Sequence, residues 1–359
     1  MRVILNILYI TACLVIINTS ALAQTTFFVS PKGKNTNPGT IAKPFAGIDH
    51  AKLKARKIPG PVVIYLLEGV YHLKQPVVFT AEDARKQKGT LSIKNFNNQK
   101  VTVSGAVALQ LKWKKYKNRI WQAEVIPDVL FDELFVNGKL QRMARYPNYE
   151  AAARYLGGTS ANAISKERAA YWQSPAGGYV HALHGSMWGD FHYIITGKND
   201  KGELTLEGGW QNNRRMGMHE THRFVENVFE ELDTVNEWYY DKKTKTLYYY
   251  PPAGLDLTTA TIETPQIAHL FEFKGSEKAP VTNINIEGLT LTQTLRTFME
   301  NKEPLLRSDW TIYRGGAVLY EGAVNCTLKN CTLTNLGGNA IFFNKYNRNC
   351  TVSGCLISN

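Results

Sequence analysis

The C-terminal stretch of this 359-residue chain repeats at a fixed interval. Asn325-Cys326-Thr327-Leu328-Lys329-Asn330-Cys331-Thr332-Leu333-Thr334-Asn335 returns as Asn349-Cys350-Thr351-Val352-Ser353-Gly354-Cys355-Leu356-Ile357-Ser358-Asn359, 24 residues on. An earlier copy, residues 283–292, carries Ile284 and Leu289 where the later ones carry cysteine. A thiol that exchanges with Ile or Leu behaves as a small buried hydrophobe. A β-rich unit this short cannot bury one of its faces alone, so successive units must stack.

Within each copy the apolar positions alternate, skip and alternate again. Cys326 and Leu328 share one face, Cys331 and Leu333 another, with a tight bend between them. The second bend residue is Gly288, Asn330 or Gly354, types that enter positive φ at low cost. A third strand fits residues 316–320, matched one coil later by residues 340–344. A helix is excluded because the apolar spacing is two. The expected fold is all-β: a right-handed parallel β-helix with an N-terminal capping helix and an inserted antiparallel β element.

Ile48, Ala51, Ala55 and Ile58 fall on one helical face that Pro59-Gly60 closes, which supplies the cap. Strands are expected at residues 62–67, 71–73, 77–80, 91–94 and 101–104, and a hairpin at Asn137-Gly138. Four segments follow: a leader at 1–23, cap and first coils at 24–147, the inserted element at 148–264, and regular coils at 265–359, truncated at the C-terminus. The leader has Arg2, an apolar run and Ala21-Leu22-Ala23, the pattern of a cleaved secretory signal. A secreted or periplasmic protein is expected, with no membrane span. The remaining cysteines sit in repeat columns, where free buried thiols are expected rather than disulfides.

The formal charge is +12, or +11 without Arg2, which suits an anionic partner. The run Lys112-Trp113-Lys114-Lys115-Tyr116-Lys117-Asn118-Arg119 reads as a solvated edge strand, and no nucleic-acid partner is expected.

Residues 28–33 and 37–45 together resemble the entry segment of pectate-lyase-like β-helix enzymes. Leu134-Phe135-Val136-Asn137-Gly138, Ala144-Arg145-Tyr146-Pro147, Glu226-Asn227, Glu231-Leu232-Asp233, Glu237-Trp238-Tyr239-Tyr240 and Leu305-Leu306-Arg307-Ser308-Asp309-Trp310 make the chain more similar still to glycoside hydrolase family 141. That resemblance implies hydrolysis of a plant cell-wall polysaccharide by carboxylates. Members continue through more coils, so the resemblance also implies an N-terminal fragment.

Between the first two copies lie 18 residues more than one coil, an insertion at 293–314. Long insertions in a regular scaffold are commonly functional or disordered, and the aromatic and apolar anchors of this one imply order. This one, expected over the third-strand face, supplies the candidate catalytic carboxylates Asp309 and Glu300, with Arg307, Trp310 and Arg314 as substrate-binding groups. Arg pairs bidentately with acidic sugars. Asn344, Tyr346 and Arg348 follow the third strand of the last coil and join the candidate binding set. An ion pair of Asp309 with Arg307 or Arg314, and a ladder role for Asn344, are the competing structural readings. His181-Ala182-Leu183-His184 and His219-Glu220-Thr221-His222 raise a metal site, but paired histidines recur by chance and no metal is expected. Trp188, Trp210 and Trp238 are read as core.

The leading function is a secreted glycoside hydrolase on a plant or algal polysaccharide, an acidic one being the kind the charge suits, working as a monomer without cofactor. One alternative is a polysaccharide lyase using Arg314 or Arg348, the only reading under which calcium enters. The other is a non-catalytic glycan-binding fragment.

Overall fold

The computed structural model describes residues 23–85, 89–213, 216–300, 303 and 310–358. The expected leader, apart from Ala23, lies outside the described residues. The chain is mostly β, and three of its sheets are parallel.

The first parallel sheet stacks Thr25–Val29, Val62–Leu66, Leu91–Asn95, Ile284–Glu287, Thr327–Lys329 and Thr351–Ser353. The second stacks Gly69–His72, Val101–Ser104, Thr290–Thr294, Thr332–Leu336 and Leu356–Ser358. The third stacks Val77–Thr80, Phe271–Lys274, Val318–Val324 and Ile341–Arg348. The chain visits the three in turn, adding one strand to each per circuit.

Register fixes the columns. Ile64, Ile93, Ile286, Leu328 and Val352 are successive partners in the first sheet. Tyr71, Val103, Leu291, Leu333 and Ile357 are successive partners in the second. All but the terminal Val352 and Ile357 are buried, and each buried side chain of this kind contributes about 1.5–3 kcal/mol. The bends expected at Gly288, Asn330 and Gly354 have φ of 71°, 53° and 63°. Asn283, Asn325 and Asn349 form a second left-handed corner, at 58°, 53° and 50°. Cys326, Cys331, Cys350 and Cys355 are free thiols.

The third sheet departs from the 24-residue step. Val318 pairs with Ile341 and Tyr320 with Phe343, a step of 23, and the missing residue is recovered past a bulge, where Ala323 pairs with Asn347. Gly322 and Lys345, at φ of 67° and 52°, absorb the shift. Residue 320 therefore meets 343, not 344, and the aromatic rings stack. Tyr320 lies 4.4 Å from Phe273 and 4.6 Å from Phe343, at interplanar angles of 14° and 11°.

The helix forms at Ile48–Arg56 and buries Ile48, Ala51 and Ala55 against the strands at Thr25–Val29 and Val62–Leu66. Arg85 secures its end by donating to the carbonyls of Ala55 and Ile58 at 2.8 and 2.6 Å. Among the described residues no helix is long and apolar enough to cross a membrane.

Two long excursions leave the stack. The first separates Val101–Ser104 from Phe271–Lys274, and the second separates Thr290–Thr294 from Val318–Val324. Both emerge where the second sheet hands over to the third, in consecutive circuits. The first builds an eight-stranded sheet and a separate five-stranded antiparallel sheet. The sequence alone put its start near residue 148. Its stem is in fact Ala106–Leu109, paired antiparallel with Ile262–Pro265. Strands this far apart in the chain leave no local pattern that would mark them as partners. The Asn137-Gly138 hairpin forms as expected, with φ of 51° and 72°. Lys114–Lys115 is the exposed outer strand of the larger sheet.

Candidate functional site

The excursions run side by side, and a cleft of about 430 Å³ opens between them. The first contributes Asp128, Phe131, Asp132, Tyr179, Tyr240, Lys242 and Lys245. The second contributes Leu295, Arg296, Phe298, Met299 and Glu300. Phe131 and Tyr240 stack at 4.2 Å, and Tyr179 meets Phe298 edge-on at 5.3 Å. Another cavity, of about 410 Å³, lies beside Lys115–Trp121 and Pro251–Leu255 but has no carboxylate in its lining.

Arg296 organises the cleft wall. Its Nη2 and Nε donate to Asp132 Oδ1 at 2.7 and 3.0 Å, and its backbone N–H donates to Oδ2 at 3.1 Å. Its Nη1 donates to Glu226 Oε1 at 2.6 Å. Burial works to raise the Glu226 carboxyl, but Arg296 and His181 outweigh it and hold the group well below the usual range. Burial likewise works to lower the Arg296 guanidinium, and Glu226 and Asp132 hold it above its usual value.

Behind Glu226 lie two histidines. His181 Nε2 is 3.2 Å from Glu226 Oε1, and His181 Nδ1 is 2.8 Å from His192 Nδ1. An ionised carboxylate only accepts, so Nε2–H donates to Glu226, while His181 Nδ1 and His192 Nδ1 share a hydrogen bond. Burial first, then the neighbouring His181, lowers the His192 imidazole to about 3, which keeps it neutral. Phe298 covers the pair, its ring 5.2 Å from His181 and 5.0 Å from His192. Glu133 is pushed up to about 8 by burial, and its Oε2 is buried without a hydrogen-bond partner.

Of the candidates taken from the sequence, Glu300 lines the cleft. Arg307 and Asp309 lie outside the described residues. Trp310 packs on the five-stranded sheet's side of the molecule: it bridges Asn212, and its ring lies 5.7 Å from those of both Phe191 and His184. Arg314 pairs with Glu303 at 2.7 Å. Asn344 donates to Glu321 Oε2 at 3.0 Å across the third parallel sheet. Arg348 lies 5.8 Å over the Tyr346 ring on the same strand. These last four side chains do not line the cleft with Glu300.

The insertion's described legs also lie against the first excursion, rather than covering the third-strand face alone. His181 and His184 have different neighbours: His184 stacks on Trp188 at 5.5 Å. Among the described residues no group of three or more His, Cys, Asp or Glu has the arrangement to hold a metal ion. Trp238 is core, whereas Trp188 is 59% exposed, on a turn after the strand Tyr179–His184.

Sequence reasoning missed Asp132, Glu226, Arg296 and the histidine pair as a unit. Arg296 is 164 residues from Asp132 and 70 from Glu226 in the chain. The only local trace was that Asp132 and Glu226 each sit in or beside a segment carrying the family resemblance.

No protein-family model matches the chain, and no curated protein sequence is similar to it. A solved structure named "Glycoside hydrolase" superposes with a TM-score of 0.74 at 21% identity, over 92% of this chain and 65% of that one. The two share a fold. This chain thus spans about two thirds of that neighbour's length. A second structure, titled "The complex structure of XylC with xylose", matches with a TM-score of 0.40 at 14% identity, over 88% of this chain and 43% of that one.

Proposed function

We propose that the chain is a glycoside hydrolase of the family 141 kind, built on a right-handed parallel β-helix and exported by the leader at residues 1–23. Its substrate is a plant or algal polysaccharide, bound in the cleft between the excursions. The observation that carries this reading is the joint presence of Asp132 and Glu300 with Phe131, Tyr179, Tyr240 and Phe298 in one cleft. Glycosidic cleavage needs two acidic groups about the scissile bond. Aromatic faces suit the apolar side of a sugar ring, and Lys242 and Lys245 suit an acidic one. The shared fold with a glycoside hydrolase supports the same reading.

In this reading the two carboxylates divide the work. Asp132, held at both oxygens by Arg296, opposes the positive charge that develops on the anomeric carbon. Glu300, from the second excursion, protonates the leaving oxygen. Asp309, a catalytic carboxylate in the sequence reading, is tested beside them as Asp309→Asn.

The deciding experiment incubates the purified protein with a panel of plant and algal polysaccharides and measures new reducing ends. Glu300→Gln should slow turnover about 10²- to 10⁴-fold while glycan binding persists. An ultraviolet-absorbing unsaturated product would replace the hydrolase reading with elimination. Binding without turnover by the unaltered protein would leave a glycan-binding module.

A further inference from the structure

Where the two excursions rejoin the stack, their return legs meet in a hydrogen-bonded chain that the roles above leave unused. His269 lies on the first return leg, just ahead of Phe271–Lys274, and Tyr313 lies on the second. Glu272 Oε1 is 2.6 Å from His269 Nδ1, and His269 Nε2 is 2.7 Å from Tyr313 Oη. Glu272 is buried, and its Oε2 meets Lys274 Nζ at 2.6 Å. Burial works to raise this carboxyl, but hydrogen bonds from His269 and Lys274 outweigh it and keep it ionised. The carboxylate therefore accepts from Nδ1–H, and in the neutral imidazole Nε2 accepts from the Tyr313 hydroxyl.

The surroundings hold this geometry. Asn339 Nδ2 donates to the carbonyls of Tyr313 and Gly315 at 2.8 and 2.9 Å. A β-carbon at Gly315 would lie 2.5 Å from His269 Nε2 and 2.6 Å from Tyr313 Cε1, so the contact requires glycine there. Tyr313 is only half-buried. Leu295, in the cleft lining, donates its N–H to Ile267 O at 3.0 Å, two residues before His269. The relay and the cleft thus share one corner of the stack.

We propose that Tyr313 is the base that activates water in glycan cleavage, handing its own proton to His269 against Glu272. This rests on the hydrolase reading and adds the group that reading lacked. In the step, the water oxygen attacks the anomeric carbon as the bond to the leaving oxygen breaks. The leaving oxygen takes the proton of Glu300. A water proton moves to Tyr313 Oη while the phenol proton moves to His269 Nε2, and Glu272 balances the imidazolium. His269 then releases its proton through Tyr313 to solvent, and Glu300 regains one from solvent. Burial, the largest cause, holds the phenol above its usual value, so it is neutral at rest. A neutral base suits an anionic glycan, which another carboxylate would repel.

The test uses Tyr313→Phe and His269→Gln in the full chain. Phe keeps the ring that packs 5.7 Å from His269. The expected result is a kcat loss of about 10²- to 10⁴-fold with KM and the thermal midpoint nearly unchanged. Added azide, a nucleophile that needs no base, should restore Tyr313→Phe turnover as glycosyl azide but not that of Glu300→Gln. Full kcat in Tyr313→Phe, or a loss that azide leaves unrescued and that tracks a lower thermal midpoint, overturns the relay and leaves the hydrolase reading intact. Absence of turnover by the unaltered protein on every glycan overturns both.

Discussion

Ile267 accepts a 3.0 Å backbone hydrogen bond from Leu295, and this bond ties the return leg of one excursion to the exit leg of the next. It makes the cleft a property of two consecutive circuits rather than of either excursion. One residue on, Arg296 reaches Asp132 and Glu226.

Arg296→Ala should destabilise the protein by about 3–5 kcal/mol, because it leaves two carboxylates facing one another without their cation. Arg296→Lys should recover only part of this, since an ammonium cannot reproduce the forked contact with Asp132. Denaturant unfolding measures both. A loss below about 1 kcal/mol for Ala, the range of exposed pairs, would show that Arg296 is not structural.

Glu133 should make the fold less stable as pH rises. Its folded value of about 8 lies above the ordinary 4.5, so the folded state holds a proton that the unfolded state releases. The contribution is complete below the ordinary value and is lost as pH climbs through the folded one. Glu237, also pushed to about 8 by burial, acts in the same window, and Glu226, held low, acts in the opposite sense at acid pH. Thermal midpoints of Glu133→Gln across this window should therefore fall less steeply than those of the unaltered chain. Parallel curves would refute the assignment.

Tyr320→Phe should raise stability. The hydroxyl is buried with no hydrogen-bond partner, inside the stack of Phe273, Tyr320 and Phe343 rings. An unsatisfied buried hydroxyl costs about 1–3 kcal/mol, and Phe keeps the ring contacts. A lower unfolding midpoint for this variant would mean that the hydroxyl has a partner after all.

Gly322→Ala and Gly254→Ala should separate two costs of positive φ. At Gly254, φ is 82° and a β-carbon would meet nothing within 4 Å, so only the conformational cost of about 1–2 kcal/mol applies. At Gly322, φ is 67° and the β-carbon would lie 2.1 Å from the backbone carbon of Gly275. That contact cannot relax by rotating a side chain, so about 3 kcal/mol or more is expected. Equal losses in urea unfolding would contradict the bulge geometry.

The stack was legible because it is local and repetitive. Cys326 and Cys350 announce their column by spacing, and Gly288, Asn330 and Gly354 announce a corner by residue type. The third sheet was read one residue out of step, since a bulge at Gly322 leaves no mark in alternation. The stem of the first excursion was missed because Ala106 and Pro265 find one another only in three dimensions. Glu300 was picked out as an acid in an insertion. Its companions Asp132, Glu226 and Arg296 were not, because distant ionic side chains carry no periodicity. Trp310 is expected among the substrate-binding groups, yet its ring packs against Phe191 and His184.

Both excursions hang from the same edge of the prism, in adjacent storeys, while the inward columns run on beneath them. Chemistry and architecture are therefore separable here. Kindred chains could trade one appendage for another, and with it whatever the cleft takes up, so long as the pillars of Ile64, Ile93, Ile286 and Leu328 still line up.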